Sequence, residues 1–176
     1  GSDGTGNMVW SIDASFAVHI NMKSHTGYCL TLGIGSPISG SSTQKVNTRS
    51  STESELVGVD DAIGFVEWAS LYSKEQVKDY PSEHPLKDMG KKTVVLQDNT
   101  STIKMLMGGK RVCGQQTCNI HIRYFYAHER VTDGTIVITY CPTKEMVSDY
   151  LSKPLQGSLF CVYRNTLMGI IPAIDI

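Results

Sequence analysis

The chain has 176 residues, 40% of them hydrophobic, and is therefore long enough to bury a core within one domain. Its 16 basic and 17 acidic residues give a formal net charge of -1, which excludes the broad positive surface typical of nucleic-acid-binding proteins. No apolar run approaches the roughly 20 residues needed to cross a bilayer, so we expect no membrane association.

The N-terminal part of the chain predicts a flexible segment followed by three strands. Residues 1–8 are rich in Gly, Asp and Asn and are expected to be flexible. Short β-branched and aromatic runs bounded by turn residues predict strands over residues 9–14, 27–32 and 37–42. Gly40 should weaken the third of these strands. Because no helix intervenes, we expect the three strands to pair antiparallel.

A change of period near Thr52 predicts a long helix over residues 53–77. Apolar residues recur there at spacings of three and four, the pattern of one helix face: Val59, Ala62, Val66 and Ala69. Two residue pairs at the start of this helix have the spacing of a capping box, namely Ser50 with Glu53 and Thr52 with Glu55.

The C-terminal half predicts two further strands, each followed by helices. The expected elements are a strand that ends at Asp98, a helix capped by Thr100 or Ser101 that ends near Met107, a loop over 108–118, a helix over 119–132, a strand over 135–142, a helix that starts at Thr143 and closes at Pro154, and a last amphipathic helix from Gly157. Strand–helix–strand units imply parallel crossovers. The chain therefore predicts one α/β domain over 9–170, a mixed five-stranded sheet with helices on both faces, followed by a tail over 171–176.

Asp13 is a carboxylate inside the first predicted strand. Alternation places Trp10 and Ile12 on one face of the sheet and Val9, Ser11 and Asp13 on the other. A charge in an apolar strand is costly unless another group pairs with it. Two interpretations remain open for this residue alone, an acid that turns out of the strand into a loop and a member of a functional site.

Three more acids lie in contexts that can bring them close to Asp13. Asp98 ends the fourth predicted strand, and α/β sheets bind ligands at the carboxyl ends of their strands. Glu55 shares the apolar stripe of the long helix and should face the sheet, whereas Glu53 should face a wetter side. Asp149 lies about one turn into its predicted helix. The alternatives are a capping role for Glu55 and a solvated helix surface for Asp149.

Four carboxylates in one place cannot all stay ionised without a cation. Clusters of oxygen ligands suit Mg²⁺ or Mn²⁺ rather than zinc. Two such ions about 4 Å apart would activate a water and stabilise the leaving oxygen in phosphodiester cleavage. Residue types and spacing lead to this chemistry and no further.

The cysteines give little support to a different metal. The five cysteines are odd in number and irregularly spaced, which favours free thiols over a disulfide framework. A C-x4-C-x2-H-x6-H string, formed by Cys113, Cys118, His121 and His128, invites a zinc interpretation. Its spacing matches none of the usual structural zinc patterns, so we expect no zinc site.

Several strings along the chain occur together in one family. They are WSIDASFAVH, KSHTG, STQK, SSTESELVGVDDA, VVLQDNTS, IHIRYFYAHERV, YCPTKEMVSDYLSKPLQG and the closing LF…R…MG. Through them the chain, from residue 9 to 170, resembles the ribonuclease H domain of copia-type (Pseudoviridae) LTR retrotransposon polyproteins. No single string is specific, but their combination is. The resemblance implies a ribonuclease H-like fold with strand order 3-2-1-4-5 and an antiparallel strand 2.

The same resemblance implies an activity and its metal ions. The family hydrolyses the RNA strand of RNA–DNA hybrids and leaves a 3′-hydroxyl and a 5′-phosphate. Asp13, Glu55, Asp98 and Asp149 match its four catalytic acids, which hold two Mg²⁺ ions, and Mn²⁺ should substitute for them. Asp13 and Asp98 would serve both metal regions, with Glu55 on one side and Asp149 on the other.

Substrate contacts, partners and location follow from the resemblance in the same way. Ser15, Asn99 and Ser101 are expected to contact the backbone or the minor groove of the hybrid, and the 2′-hydroxyl would mark the strand to be cut. The implied partners are the hybrid and the reverse transcriptase domain of the same polyprotein. The implied location is the cytoplasm, in virus-like particles, with the nucleus as the alternative.

Departures from the family pattern, above all the lost lysines and the shifted His, support a second hypothesis. Many relatives carry several lysines and an aromatic residue where residues 39–45 read SGSSTQK, so only Lys45 remains basic there. Residues 118–124 read CNIHIRY, without the usual basic residue and with the His displaced by two positions. Lys144 occupies the loop where some cellular relatives carry a His. The second hypothesis is a weak or inactive domesticated domain that binds nucleic acid or protein. The four intact acids favour the active enzyme.

Overall fold

The computed structural model describes residues 4–109 and 121–170, with the backbone alone for residues 121–124. Five strands form one sheet: β1 (Met8–Ser15), β2 (His25–Thr31), β3 (Ile38–Thr43), β4 (Thr93–Gln97) and β5 (Val137–Tyr140). Their order across the sheet is β3-β2-β1-β4-β5. β2 is antiparallel to β1 and β3, while β1, β4 and β5 run parallel. The predicted mixed sheet, its strand order and its antiparallel second strand are confirmed.

Helices cover both faces of the sheet. They are α1 (Ser51–Val77), α2 (Thr100–Gly108), α3 (His121–Thr132), α4 (Asp149–Ser152) and α5 (Gly157–Leu167). α1, α2 and α3 contact one another on one face, and the short α4 lies on β1, β2 and β3 on the other. Within the described residues, none of the helices has the length and apolar character that crossing a membrane requires.

The core follows the alternation of β1. Trp10 and Ile12 are fully buried in the larger apolar cluster, together with residues of α1, α2 and α3. Val9 points to the opposite face, where it packs on a smaller cluster that contains Leu96 and Met146. Burial of a large apolar side chain contributes about 1.5–3 kcal/mol. The positions of Trp10, Ile12 and Val9 confirm the two faces predicted for β1, and Asp13 lies on the same side of the strand as Val9.

β3 forms in spite of Gly40. Tyr28 faces Gly40 across the β2–β3 pair, and a Cβ atom at residue 40 would lie 2.3 Å from the Tyr28 ring. Phe65 of α1 stacks on the same ring, with 5.2 Å between ring centroids. The missing side chain thus makes room for an aromatic ring, which compensates for the weaker strand propensity of glycine.

Two element boundaries differ from the sequence-based expectation. Met8 is a buried residue of β1 rather than part of a flexible segment, and its amide donates to the Lys92 carbonyl over 3.0 Å. The N-cap of α2 is Asn99 rather than Thr100 or Ser101, because its side-chain oxygen accepts the amides of Ser101 and Thr102. Asparagine is among the best N-cap residues.

The segment after β5 is not the continuous helix that its apolar stripe predicts. A single 3-10 turn covers Thr143–Glu145, the chain is extended at Met146, and α4 begins only at Asp149. Met146 is completely buried, and its sulfur accepts the hydroxyl of Ser11 in β1. Burial of this side chain under the sheet therefore overrides the helical propensity of the segment.

Candidate active site

Asp13 lies near the carboxyl end of β1 on the face that α4 covers. Its side chain is 1% exposed and accepts a hydrogen bond from the Ser152 hydroxyl. Gly27, its partner on β2, makes this approach possible, since a Cβ atom there would lie 2.7 Å from backbone atoms of Ser148 and Ser152. The glycine therefore allows α4 to pack directly beside the acid.

Glu55 reaches the same place from the first turns of α1. Its side chain is 5% exposed, and its Oε2 accepts the amide of Ala14 over 3.1 Å. The prediction that Glu55 faces the sheet agrees with this contact. A capping box with Thr52 is not formed, because the carboxylate is turned toward β1.

Glu53 has the capping role instead. The Ser50 hydroxyl accepts the Glu53 amide over 3.2 Å, and the Glu53 carboxylate accepts the Arg49 amide over 2.6 Å. Glu53 is also buried, so the expectation that it lies on a more solvent-exposed side of the helix is wrong. The two glutamates are separated by function, since one caps the helix and the other faces the sheet.

Asp98 follows β4 and is held by two polar neighbours. Its Oδ2 accepts the Thr143 hydroxyl over 2.8 Å. Before it, the buried Gln97 accepts the amides of Asp98 and Asn99 on its side-chain oxygen, at 2.9 and 3.1 Å. The Gln97 amide nitrogen donates to Glu55 Oε2 over 3.3 Å. Gln97 thus fixes the turn that carries Asp98 and joins it to Glu55.

The three acids Asp13, Glu55 and Asp98 meet at the carboxyl ends of β1 and β4. One carboxylate oxygen from each lies within 4.8 Å of the other two. Burial, followed by the charges of Asp13 and Asp98, raises the pKa of Glu55 to about 9. Three carboxyl oxygen donors at this separation fit a hard divalent cation such as Mg²⁺ or Mn²⁺, whose charge would favour the ionised form of all three.

Asp149 lies on the other side of Asp13. It is the first residue of α4, is buried, and its Oδ1 accepts Lys153 Nζ over 2.7 Å. The same Nζ lies 3.4 Å from Asp13 Oδ2. Burial and the charge of Asp13 raise the pKa of Asp149 to about 6, although Lys153 opposes this. The structure therefore brings three of the predicted acids together and connects the fourth to them through Lys153.

An open cleft leads to the acids. It is lined by Asp13, Ala14, Ser15, Phe16, Val18, Ser51, Glu55, Asp98, Asn99, Thr100 and Lys153. The hydroxyl of Ser15 is buried and, within the described residues, has no hydrogen-bond partner. A buried hydroxyl without a partner is unusual, and bound water or a ligand is the ordinary reason for one. Asn99 also lines the cleft, whereas Ser101 is exposed on the first turn of α2. Their substrate contacts stay predictions.

The zinc interpretation falls largely outside the described residues. Cys113 and Cys118 lie in the range 110–120, and nothing is described of the His121 side chain. His128 Nδ1 is 2.7 Å from the carbonyl of Leu106. The displaced His of the CNIHIRY string also lies outside the described side chains.

Three residues of the site were not singled out by sequence: Gln97, Ser152 and Lys153. The signal for Gln97 was an amide at the end of an otherwise apolar strand, which needs buried partners. Lys153 stands four residues after Asp149, a spacing that favours an ion pair on a helix. Nothing local indicates that Ser152 reaches Asp13, because that contact depends on how α4 packs on the sheet.

Solved structures with a similar fold include ribonuclease H1 from the halophilic archaeon Halobacterium salinarum NRC-1. It is 15% identical to this chain. The match covers 83% of this chain and 94% of the archaeal enzyme, with a TM-score of 0.55. The fold is that of ribonuclease H. LC11-ribonuclease H1, isolated from compost by metagenomics, is 12% identical over 84% of this chain and 93% of its own, with a TM-score of 0.56. The same enzyme in complex with an RNA/DNA hybrid is 10% identical. That match covers 82% of this chain and 92% of the enzyme, with a TM-score of 0.52. No family model matches the sequence.

Proposed function

We propose that this chain is a ribonuclease H of a copia-type retrotransposon, which hydrolyses the RNA strand of RNA–DNA hybrids during reverse transcription. The observation that carries the proposal is the meeting of Asp13, Glu55 and Asp98 within 4.8 Å on a ribonuclease H fold. Their position, at the carboxyl ends of the parallel β1 and β4, is where α/β sheets bind ligands. The retrotransposon origin is proposed from the sequence resemblance.

In this proposal the acids would hold two Mg²⁺ ions, and each supporting residue keeps an acid in place. Glu55 and Asp149 serve the two sides, and Asp13 and Asp98 serve both. Gln97 and Thr143 orient Asp98, while Ser152 orients Asp13. When bound, the ions would activate the attacking water and stabilise the leaving oxygen. Ser15 and Asn99, which line the cleft, would contact the substrate.

The proposed substrate is supported by a structural neighbour and by the resemblance. LC11-ribonuclease H1 has been solved with an RNA/DNA hybrid, and this chain covers 92% of that structure. We further propose that the reverse transcriptase domain of the same polyprotein is the natural partner and that the enzyme acts in cytoplasmic virus-like particles.

A cleavage assay tests the proposed reaction. The purified chain is incubated with Mg²⁺ or Mn²⁺ and a hybrid whose RNA and DNA strands carry different labels, beside duplex RNA and duplex DNA. We expect only the RNA strand of the hybrid to be cut, with 3′-hydroxyl and 5′-phosphate ends and complete inhibition by a chelator. An intact RNA strand at high enzyme concentration and low salt would contradict the proposal.

One observation favours a second candidate, a catalytically weak or inactive domesticated domain that binds nucleic acid or protein. β3 presents serine and threonine in place of the family's lysines, and the Ser41 hydroxyl donates to the Leu151 carbonyl rather than to solvent. Each lost phosphate contact weakens binding in a salt-dependent way. If the hybrid binds in an anisotropy titration at low salt but stays uncut with either metal, this candidate replaces the enzyme.

A further inference from the structure

The Lys153 ammonium lies between Asp149 and Asp13, an acid that both sides of the candidate site share. Its Nζ is 2.7 Å from Asp149 Oδ1 and 3.4 Å from Asp13 Oδ2. Asp13 is at the same time one of the three acids that meet within 4.8 Å. One carboxylate is therefore shared between the three-acid group and the pair that Lys153 joins.

The position of Lys153 follows from the shortness of α4. The helix ends after Ser152, and Lys153 is its C-cap residue, whose amide donates to the Asp149 carbonyl over 3.0 Å. This turn brings the lysine side chain back over the start of the helix, where Asp149 and Asp13 lie. The side chain lines the open cleft and is 36% exposed, so it has a route into solvent.

The other side of the site has no such cation. Among the described residues, the salt bridges to the four acids all come from Lys153, and they reach Asp13 and Asp149 alone. Glu55 and Asp98 accept hydrogen bonds from neutral donors, namely the Ala14 amide, Gln97 and the Thr143 hydroxyl. One positive charge thus offsets part of the negative charge of Asp13 and Asp149, whereas Glu55 and Asp98 have no such cation among the described residues.

We propose that Lys153 is an internal counter-ion, which must leave the Asp13–Asp149 pair before a divalent cation can bind there. The inference rests on the proposed function, since it concerns the second of the two expected metal positions. The ammonium and a divalent cation would compete for the same carboxylate oxygens. The Glu55 side should therefore bind its ion first, and the Asp149 side should bind a second ion more weakly.

Lys153 then has two roles as a positioning residue. Before metal binds, it keeps Asp149 and Asp13 close together and offsets their repulsion. After it is displaced, the ammonium is free within the cleft that also holds Ser15 and Asn99. A lysine is suited to this exchange, because its ammonium is a point charge on a flexible stem.

Calorimetric titration with Mn²⁺, in the absence of nucleic acid, tests the inference on the full chain. We compare wild type with Lys153→Met and with Lys144→Met, which removes the same charge from an exposed turn near the site. Lys153→Met should bind the second Mn²⁺ about tenfold more tightly, whereas Lys144→Met should change its affinity less than about twofold. In chelator, Lys153→Met should unfold at a lower temperature than wild type and gain more from Mn²⁺.

Each result has a separate meaning. The role of Lys153 would be overturned, and the proposed function left standing, by either of two results. One is that wild type and Lys153→Met bind both ions with the same affinities. The other is that Lys153→Met and Lys144→Met gain equally in affinity for the second Mn²⁺. No Mn²⁺ binding by any of the three proteins would overturn the proposed metal centre and this inference together. Should Lys153→Met fail to fold, Lys153→Arg decides, because its guanidinium fork should hold both acids and weaken the second ion further. A tighter second ion in Lys153→Arg would contradict the competition.

Discussion

Trp10 and Ile12 in the first part of β1 and Asp13 in its last part are almost equally buried, yet they affect the protein in opposite ways. The first two fill an apolar cluster and stabilise the fold. Asp13 instead meets Glu55 and Asp98 in a group whose repulsion costs stability unless a cation is bound. One strand thus carries both the core that positions the site and the charge that weakens the free protein.

The two glutamates of α1 repeat this contrast within one turn. Glu53 accepts the Arg49 amide before the helix and is bonded through its own amide to the N-cap Ser50, while Glu55 faces the other acids. Burial alone does not separate them, because both side chains are buried. What separates them is the partner: backbone amides before the helix for one, and the end of β1 for the other.

Replacing each glutamate by glutamine should separate the catalytic role of Glu55 from the structural role of Glu53. Glu55→Gln should lower the rate of hybrid cleavage by about a thousandfold or more, because a charged metal ligand is worth several kcal/mol and about 1.4 kcal/mol is tenfold. Glu53→Gln should keep nearly full activity and lose at most about 1 kcal/mol of unfolding free energy. Single-turnover cleavage and urea unfolding measure both. Loss of activity in Glu53→Gln with full activity in Glu55→Gln would reverse our assignment.

Trp10→Ala breaks the stabilising part of β1. We expect a loss of about 3–5 kcal/mol of unfolding free energy, the usual cost of deleting a fully buried aromatic side chain. Trp68→Ala is the matched control, since Trp68 is exposed and stacks only on Tyr72 among the described rings; its loss should be within about 1 kcal/mol. Equal losses in the two variants would mean that the core cluster does not carry the fold.

The pH dependence of stability should reveal the crowded acids. The raised pKa of Glu55, about 9 against an ordinary 4.5, means that the folded protein binds a proton more readily than the unfolded chain. Stability in chelator should therefore fall as pH rises from about 4.5 to about 9. Mg²⁺ should raise the melting temperature by a few degrees, and more at high pH, because it binds the ionised carboxylates. A metal effect that is independent of pH would contradict this.

Much of the fold could be predicted from the sequence because its signals are local. The alternation of Trp10 and Ile12 with Val9 gave the two faces of β1, and the stripe of α1 indicated that Glu55 faces the sheet. The order of strands and helices then restricts the sheet to few topologies. The meeting of Asp13 and Asp98 follows from that topology, since β1 and β4 are parallel neighbours, and the start of α1 brings Glu55 to their carboxyl ends.

The Asp149 region could not be predicted in the same way. Its apolar stripe is consistent with a continuous helix, but Met146 is buried beneath the sheet and interrupts it. As a result, Asp149 starts a helix of one turn, and Lys153 closes back onto Asp13. That closure also requires Gly27, whose role depends on contact with α4. Such contacts depend on tertiary packing, which local patterns do not contain.

One paired measurement tests most directly whether Asp13, Glu55, Asp98 and Asp149 cut the RNA strand of a hybrid. Wild type and Asp98→Asn are compared for cleavage of an RNA-labelled hybrid in Mg²⁺ and for thermal unfolding in chelator, with Asp88→Asn as an exposed-acid control. We predict cleavage by wild type and Asp88→Asn, none by Asp98→Asn, and a melting temperature of Asp98→Asn that equals or exceeds that of wild type, because a repulsion is relieved. Full cleavage by Asp98→Asn, or a large loss of its stability, would contradict the account.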